Sequence, residues 1–409
     1  MTTAEWWAIG GTTVLAAIVQ ATFASAAGWT RPMGDEIEYL ERAAADDPTA
    51  PQLFVRVPGF IWFVRALHGH ERRTRLLQHV VAVATVAVAA SAAARVGGAE
   101  VAWVCGVTLA LLPDRWVLAG RIWPDVPLAL HHAIVLALLT VADRGTGVSP
   151  WWFGVVAASA VVVRIDALVL PVVLAVLPLA RGGQAAWSGV LGILVPTVVA
   201  LVLLALRNRR RYGLFAVDTT LAFNLRVMAR EQRDPATTVQ VAVDDVLGDW
   251  SPASPQGALR RAFGGVGTPA RMVVGIGHRL VSMAGADTFA RERLLPASGG
   301  WPDMPSAVRR PVAAVLRIST PALIGAAACG VAAGSDVTLQ LLWPVVAAYV
   351  AMCAVHARTR FRAVLFPWLA LWAGVGAVHV WRTPTVMPVA IGVAVAVAAA
   401  LVPPRRESQ

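Results

Sequence analysis

Lysine is absent from the 409-residue chain. All side-chain positive charge other than histidine therefore rests on arginine, which excludes Schiff-base chemistry and a P-loop lysine. Charge of either sign is scarce, at 14% of residues, against about 25% in soluble domains. Cysteine occurs only at Cys105, Cys329 and Cys353, each within an apolar run. An odd number so placed indicates neither a disulfide framework nor a thiolate metal site. No repeat of fixed period is visible, and no low-complexity tract beyond Ala/Val-rich stretches.

What is abundant is apolar surface. Hydrophobic residues make up 57% of the chain, the mean hydropathy is +0.64, and apolar runs recur from Trp6 almost to Val402. The composition is that of a polytopic integral membrane protein. It excludes a soluble enzyme, a secreted disulfide scaffold and a disordered interaction protein. A net charge of +11 would suggest nucleic acid in a soluble protein; here, arginines flanking helices and meeting lipid phosphates account for it. The first apolar run ends in Ala24-Ser25-Ala26 but lacks a basic leader, so a retained first helix is expected.

A crossing needs about 20 residues. Eleven spans are expected, at 6–27, 72–95, 100–118, 126–142, 150–163, 165–180, 186–206, 312–333, 337–355, 362–380 and 385–403. The pair 150–163 and 165–180 is short, and one broken helix is an alternative. The stretch Pro58 to Leu67 is apolar but too short to span, and suits an interfacial helix. With 58–67 not crossing, the loops at 28–71, 119–125, 164–166, 207–311 and 356–361 share one face. The other face receives short turns such as Gly97-Gly98-Ala99. The chain divides into a core at 1–206 with its polar loop 28–71, a long loop at 207–311 with an interfacial helix at 270–284, and C-terminal spans at 312–409. Six acidic residues against three arginines in 28–57 place the busy face outside. The clusters Arg207 to Arg211 and Arg358 to Arg362 argue the other way unless they serve an outer site.

The polar residues on that face are distinctive. Asp35-Glu36 opens the first loop, and carboxylates at a membrane boundary serve as a general base toward a hydroxyl or as cation ligands. Asp125 follows the turn Gly120-Arg121-Ile122-Trp123-Pro124, where an Asp also suits a helix N-terminus. Arg164-Ile165-Asp166 interrupts an apolar stretch, and ionisable residues so placed are functional or mutually paired by default. His131 and His132 are adjacent, so they leave a helix in different directions and do not suggest a metal.

The order of these signals resembles GT-C membrane glycosyltransferases, in particular the protein-mannosyltransferase and aminoarabinose-transferase-like superfamily. Asp35-Glu36-Ile37-Glu38-Tyr39 resembles the first-loop acidic motif, and Val57-Pro58-Gly59-Phe60-Ile61-Trp62 the juxtamembrane helix. Gly120 to Pro127 resembles the second outer turn, with Asp125 at its acidic position. Val161 to Leu168 carries Arg164 at a basic position. Arg207-Asn208-Arg209-Arg210-Arg211-Tyr212-Gly213 resembles the exit of helix 7, and His356 to Arg362 with Pro367 a late basic segment. The likeness spans 1–235 and 340–380. Two departures stand out: the late segment has Phe361 where Tyr is usual and lacks its first Pro, and the sequence ends at Gln409 without the soluble outer domain that some relatives carry.

The resemblance implies an all-α GT-C-like bundle in the plasma membrane. It implies an inverting transfer of a hexose or pentose from a polyprenyl phosphate to a hydroxyl of a lipid, glycan or protein on the outer face. By the same resemblance Asp35 is the expected base, with Glu36 and Asp125 shaping the acceptor side. Arg360, Arg207, Arg164 and Arg362 are expected at the donor phosphate, and Tyr39, Arg121, Asp166 and His356 against substrate. No cofactor is obligatory, and a divalent cation between Asp35 and Asp125 stays open. Two readings compete: a transporter or lipid flippase, for which no internal halves are seen, and an inactive scaffold of envelope glycan assembly.

Overall fold

The computed structural model describes residues 1–28, 30–47, 55–142, 147–181, 185–220, 301, 303–333, 359–383 and 386–402, with isolated positions between 223 and 294. Every regular element among them is helical. Six described helical stretches are long and apolar enough to cross a bilayer, the one at Ser306–Ala332 being two consecutive helices, and three shorter apolar helices accompany them. The protein is an all-α, multi-pass membrane bundle.

Helix α1 (Thr3–Ala27) starts at a capping box in which Thr2 and Glu5 satisfy each other's backbone N–H groups. The first loop carries two short helices, α2 (Asp35–Ala44) and α3 (Gly59–Ala66). Eight residues rise about 12 Å, so α3 does not cross, as its length in the sequence suggests. Helix α4 (Glu71–Leu111) is two arms joined at Gly97–Gly98, where Gly98 takes φ 77°. That conformation is open to glycine at little cost. The arms run back along each other, because Arg115, just beyond the second arm, donates to the Ala82 carbonyl at 2.6 Å and Gln78 donates to the Arg121 carbonyl. Pro113 then starts the short helix α5 (Pro113–Ala119).

After α6 (Asp125–Ala142), helix α7 (Pro150–Val163) stops at Arg164, whose backbone is extended. A 3-10 turn (Ile165–Leu168) leads into α8 (Val169–Arg181). Gly154 of α7 packs on the Gly192 carbonyl, and Pro178 of α8 packs on Gly189. Both contacts lie on the first turns of α9 (Ala185–Tyr212). The two short helices therefore form a hairpin around Arg164 rather than one broken helix.

Three boundaries differ from expectation. Helix α9 runs through Tyr212, so the arginine cluster is helical rather than a loop. The span expected at 312–333 is two helices, α10 (Ser306–Val315) and α11 (Ser319–Ala332). The last pair, α12 (Phe366–Arg382) and α13 (Val386–Leu401), follows a 3-10 turn at Thr359–Leu365. The helices expected at 270–284 and 337–355, and His356, lie outside the described residues.

The core is built from α1 and α6 against α4, α12 against α4, α7 against α9, and α11 against α12 and α13. Alanines dominate the α4 seam, with Ala82, Ala89, Ala90, Ala93 and Ala102 buried. Small side chains let helices approach closely where lipid supplies no hydrophobic drive between them. Gly330 shows the limit: a Cβ there would collide with the Trp372 carbonyl. The two ends of the bundle differ. Exposed Trp6, Trp7, Trp151, Trp152, Trp187 and Trp381 mark the end that carries the Gly97–Gly98 turn, as an interfacial aromatic belt. The opposite end collects the charged loops.

Candidate active site

At that end, α2 begins with Asp35, Glu36 and Glu38 in its first turn. Asp35 and Glu36 are consecutive on a helix, so they leave it on different faces, and their fates diverge. Glu36 is buried. It pairs with Arg121 and accepts backbone N–H groups from Ile122 at 2.6 Å and Met33 at 3.1 Å. The Arg121 guanidinium lies over the rings of Trp123 and Trp301, 5.3 Å from the centroid of each. This cluster fastens the loop before α6 to the first loop.

Asp35 faces out, with 36% of its side chain exposed. It accepts from Arg56 Nη2 at 3.3 Å, while Arg56 holds Glu38 with Nε at 3.0 Å and Nη2 at 2.7 Å. The same guanidinium lies 5.5 Å over the Tyr39 ring, which packs edge-on against Phe60. Burial works against the Arg56 charge, yet Tyr39, Asp35 and Glu38 hold its pKa well above the usual value. Burial likewise pushes the Tyr39 phenol up to about 12, assisted by Asp35 and Glu38 and opposed by Arg56 and Arg164.

The backbone on both sides of Arg56 is clasped by the chain that follows α9. Val57 N–H donates to Asp218 Oδ2 at 3.1 Å. Val55 N–H donates to Thr219 Oγ1 at 3.0 Å, and Thr219 N–H returns a bond to the Val55 carbonyl at 2.8 Å. Burial raises the Asp218 pKa, against the pull of Arg56 and two backbone N–H groups. Neither Arg56 nor Asp218 was singled out in the sequence. The available signal for Arg56 is an isolated arginine in an acidic loop, one residue before the Val-Pro-Gly that starts α3.

Asp125 occupies the first turn of α6 and is fully buried. Its Oδ1 accepts from Arg164 Nη1 at 2.7 Å, and Arg164 Nε lies 2.8 Å from Asp166. The sequence spacing alone keeps Arg164 and Asp166 from facing each other on a regular helix. The extended backbone at Arg164 removes that obstacle. Asp125 Oδ2 has no hydrogen-bond partner among the described residues. A buried carboxylate oxygen without a donor is uncommon and is an acceptor position for a ligand. Tyr39 lies within electrostatic range of both clusters, feeling Arg56, Asp35 and Glu38 as well as Arg164.

The remaining expected residues lie elsewhere or are partnered otherwise. Arg362 is buried 3.7 Å from Asp114, which also takes hydrogen bonds from Ser319 and Thr320. Arg207 lies near Asp47 and under Tyr212 on the last turns of α9. Arg360 belongs to the 3-10 turn at Thr359–Leu365, and its side chain lies outside the described residues. Among the described residues, no three His, Cys, Asp or Glu side chains are grouped to hold a metal ion.

No protein-family model matches the chain, and no curated protein matches its sequence. Solved structures do match. An oligosaccharyltransferase from Archaeoglobus fulgidus, in complex with Zn and sulfate, aligns at TM-score 0.50 and 14% identity over 96% of this chain and 52% of its own. The same archaeal enzyme, AglB, with an inhibitory peptide and a dolichol-phosphate, aligns at 0.49 and 12% over 97% and 55%. ArnT from Cupriavidus metallidurans, bound to undecaprenyl phosphate, aligns at 0.39 and 17% over 92% and 79%. The chain spans about half the length of the oligosaccharyltransferase it matches. At this identity the likeness concerns the fold: the bundle is GT-C-like.

Proposed function

We propose that the chain is an inverting glycosyltransferase that moves a sugar from a polyprenyl phosphate to an acceptor hydroxyl at the outer face of the membrane. One observation carries the reading: two carboxylates at this end of the bundle, the partly exposed Asp35 and the buried Asp125, are each bound to an arginine, and Asp125 Oδ2 takes no hydrogen bond among the described residues. The fold shared with an oligosaccharyltransferase supports it.

In this reading the acceptor O–H gives its proton to Asp35 as its oxygen bonds the anomeric carbon. The bond from that carbon to the phosphate oxygen breaks on the opposite face, and the lipid phosphate leaves with the electron pair. A base in that position contributes about 10²–10⁴-fold, and cations at the departing charge contribute further. Arg56 and Arg164 are the guanidiniums that flank the two carboxylates, and Arg360 joins them by its place in the motif. Asp125 Oδ2 receives a hydroxyl of the bound sugar or acceptor, with Asp166 and Tyr39 alongside. Glu36 and Arg121 hold the loops together rather than act on substrate. Arg362 anchors the last 3-10 turn to Asp114, and Arg207 belongs to the lipid-facing end of α9.

The test is direct. Purified protein is incubated with radiolabelled polyprenyl-phosphate sugars and membrane glycolipid extract, and release of unglycosylated polyprenyl phosphate is followed. Release only in the presence of protein and extract supports transfer. Movement of intact donor across a vesicle bilayer without cleavage favours the flippase reading.

A further inference from the structure

The chain that leaves α9 grips the first loop at Arg56. Asn208, buried on α9, donates to the Ala216 carbonyl at 2.8 Å and so holds this chain against the helix it has just left. A helical turn begins beyond Asp218, with the Phe223 N–H bonded to the Thr219 carbonyl at 3.1 Å. Asp218 heads that turn, and its Oδ1 accepts the Thr220 N–H at 2.6 Å, the bond of an ordinary N-cap.

Capping needs one oxygen. The other, Oδ2, accepts the Val57 N–H at 3.1 Å, 161 positions away. Thr219, fully buried, pairs with Val55 twice: its Oγ1 accepts the Val55 N–H at 3.0 Å, and its own N–H donates to the Val55 carbonyl at 2.8 Å. With the backbone tied on both sides, Arg56 keeps only its side-chain torsions to move. Its guanidinium then meets Glu38 at 2.7 Å and Asp35 at 3.3 Å. Burial raises the Asp218 pKa and Arg56 is the strongest of the groups opposing that rise, so the two charges also lie within electrostatic range.

We propose that Asp218 is a positioning residue for sugar transfer. Acting through the backbone of Val57, it sets where the Arg56 guanidinium stands, and so how Asp35 is presented to the acceptor hydroxyl. Thr219 supports the same segment from Val55. The inference rests on the reading of Asp35 as the base. Asp218 itself stays out of the chemistry, because both of its oxygens are engaged by backbone N–H groups.

Three variants separate this role from simple capping. Asp218→Ser keeps an N-cap oxygen, but that single short arm cannot also reach Val57. Thr219→Val keeps the side-chain shape and the backbone bond to Val55, and removes only the Oγ1 acceptor. Arg56→Gln removes the group acted upon. Modification of Arg56 by phenylglyoxal in the folded protein is followed by peptide mass spectrometry. Asp218→Ser and Thr219→Val are expected to react severalfold faster than wild type, with melting midpoints in detergent close to it. In transfer of radiolabelled sugar from a polyprenyl phosphate, each is expected to lower kcat about tenfold and leave the donor KM within about twofold. Added to Arg56→Gln, Asp218→Ser is expected to cost nothing more, because residues acting through one another are not additive. Wild-type reactivity or wild-type kcat in Asp218→Ser overturns the proposal and leaves a cap alone. So does an equal loss from Asp218→Ser with and without Arg56, which would give Asp218 another route of action. Absence of transfer by the wild type ends the transferase reading and this role with it, whatever the phenylglyoxal rates show.

Discussion

Arg121 and Glu36 lie 85 positions apart and meet as a fully buried ion pair between two loops at one end of the bundle. Trp123 and Trp301 pack against the guanidinium, and two backbone N–H groups complete the carboxylate. Removing one member of such a pair leaves an uncompensated buried charge, at a cost of about 3–5 kcal/mol. Glu36→Gln should therefore lower the thermal unfolding midpoint in detergent sharply. Replacing both residues by apolar side chains of similar volume should recover much of the loss. Wild-type melting in Glu36→Gln would show that the carboxylate is not a structural tie.

Arg164 bridges Asp125 and Asp166 with separate nitrogens of one planar group. A lysine offers a point charge that reaches one carboxylate at a time. Arg164→Lys should fold and lower sugar transfer at least about tenfold, because Asp125 loses its fixed orientation. Equal transfer by the two proteins would reduce Arg164 to an ordinary counter-ion.

Tyr39 gives a pH criterion. Its pKa is raised, to about 12, so the neutral phenol persists below that value and the group loses its proton only as pH rises through it. Tyr39 therefore donates hydrogen bonds throughout any practical assay range and cannot be the general base. Tyr39→Phe retains the contact with Phe60, and it should lower the rate without moving either limb of the pH–rate profile. A limb that disappears in Tyr39→Phe would assign the titration to the phenol.

The sidedness of the loops is open to labelling. In a cysteine-free background, single cysteines replacing exposed Arg31 and Phe215 should react with a membrane-impermeant reagent in intact cells. Cysteines replacing Glu100 and Arg382, an exposed ion pair at the other end, should react only after permeabilisation. Labelling of both sets from one side would break the single-face arrangement.

Much of this geometry was legible in the sequence. A pair of glycines between two apolar runs, Gly97-Gly98, announces the reversal in α4, and the short apolar segment Pro58 to Leu67 announces a helix that does not cross. Once α3 does not cross, alternation alone gathers Asp35, Asp125 and Arg164 at one end. The partnering of each charge was not legible. Adjacent Asp35 and Glu36 read as equivalent acids until helical geometry sends one outward and the other under Arg121. Arg56 is positioned by Asp218 and Thr219, more than 160 positions away, and no local pattern encodes that contact. Arg362, placed at the donor phosphate by the resemblance, lies buried 3.7 Å from Asp114, a pairing that no local pattern encodes. The break between α10 and α11 falls at Leu316-Arg317-Ile318, just ahead of Pro321, inside the stretch whose apolar residues suggest one span.

The claim that Asp35 takes the acceptor proton has one decisive measurement. Sugar transfer from a radiolabelled polyprenyl-phosphate donor is compared for wild-type and Asp35→Asn protein, alongside binding of undecaprenyl phosphate. The amide keeps the size of the side chain and can still accept a bond from Arg56, but it lacks a basic oxygen. The account expects turnover to fall about 10²–10⁴-fold while lipid phosphate binding stays near that of the wild type. Turnover within twofold of wild type in Asp35→Asn would contradict it and move the base to another carboxylate.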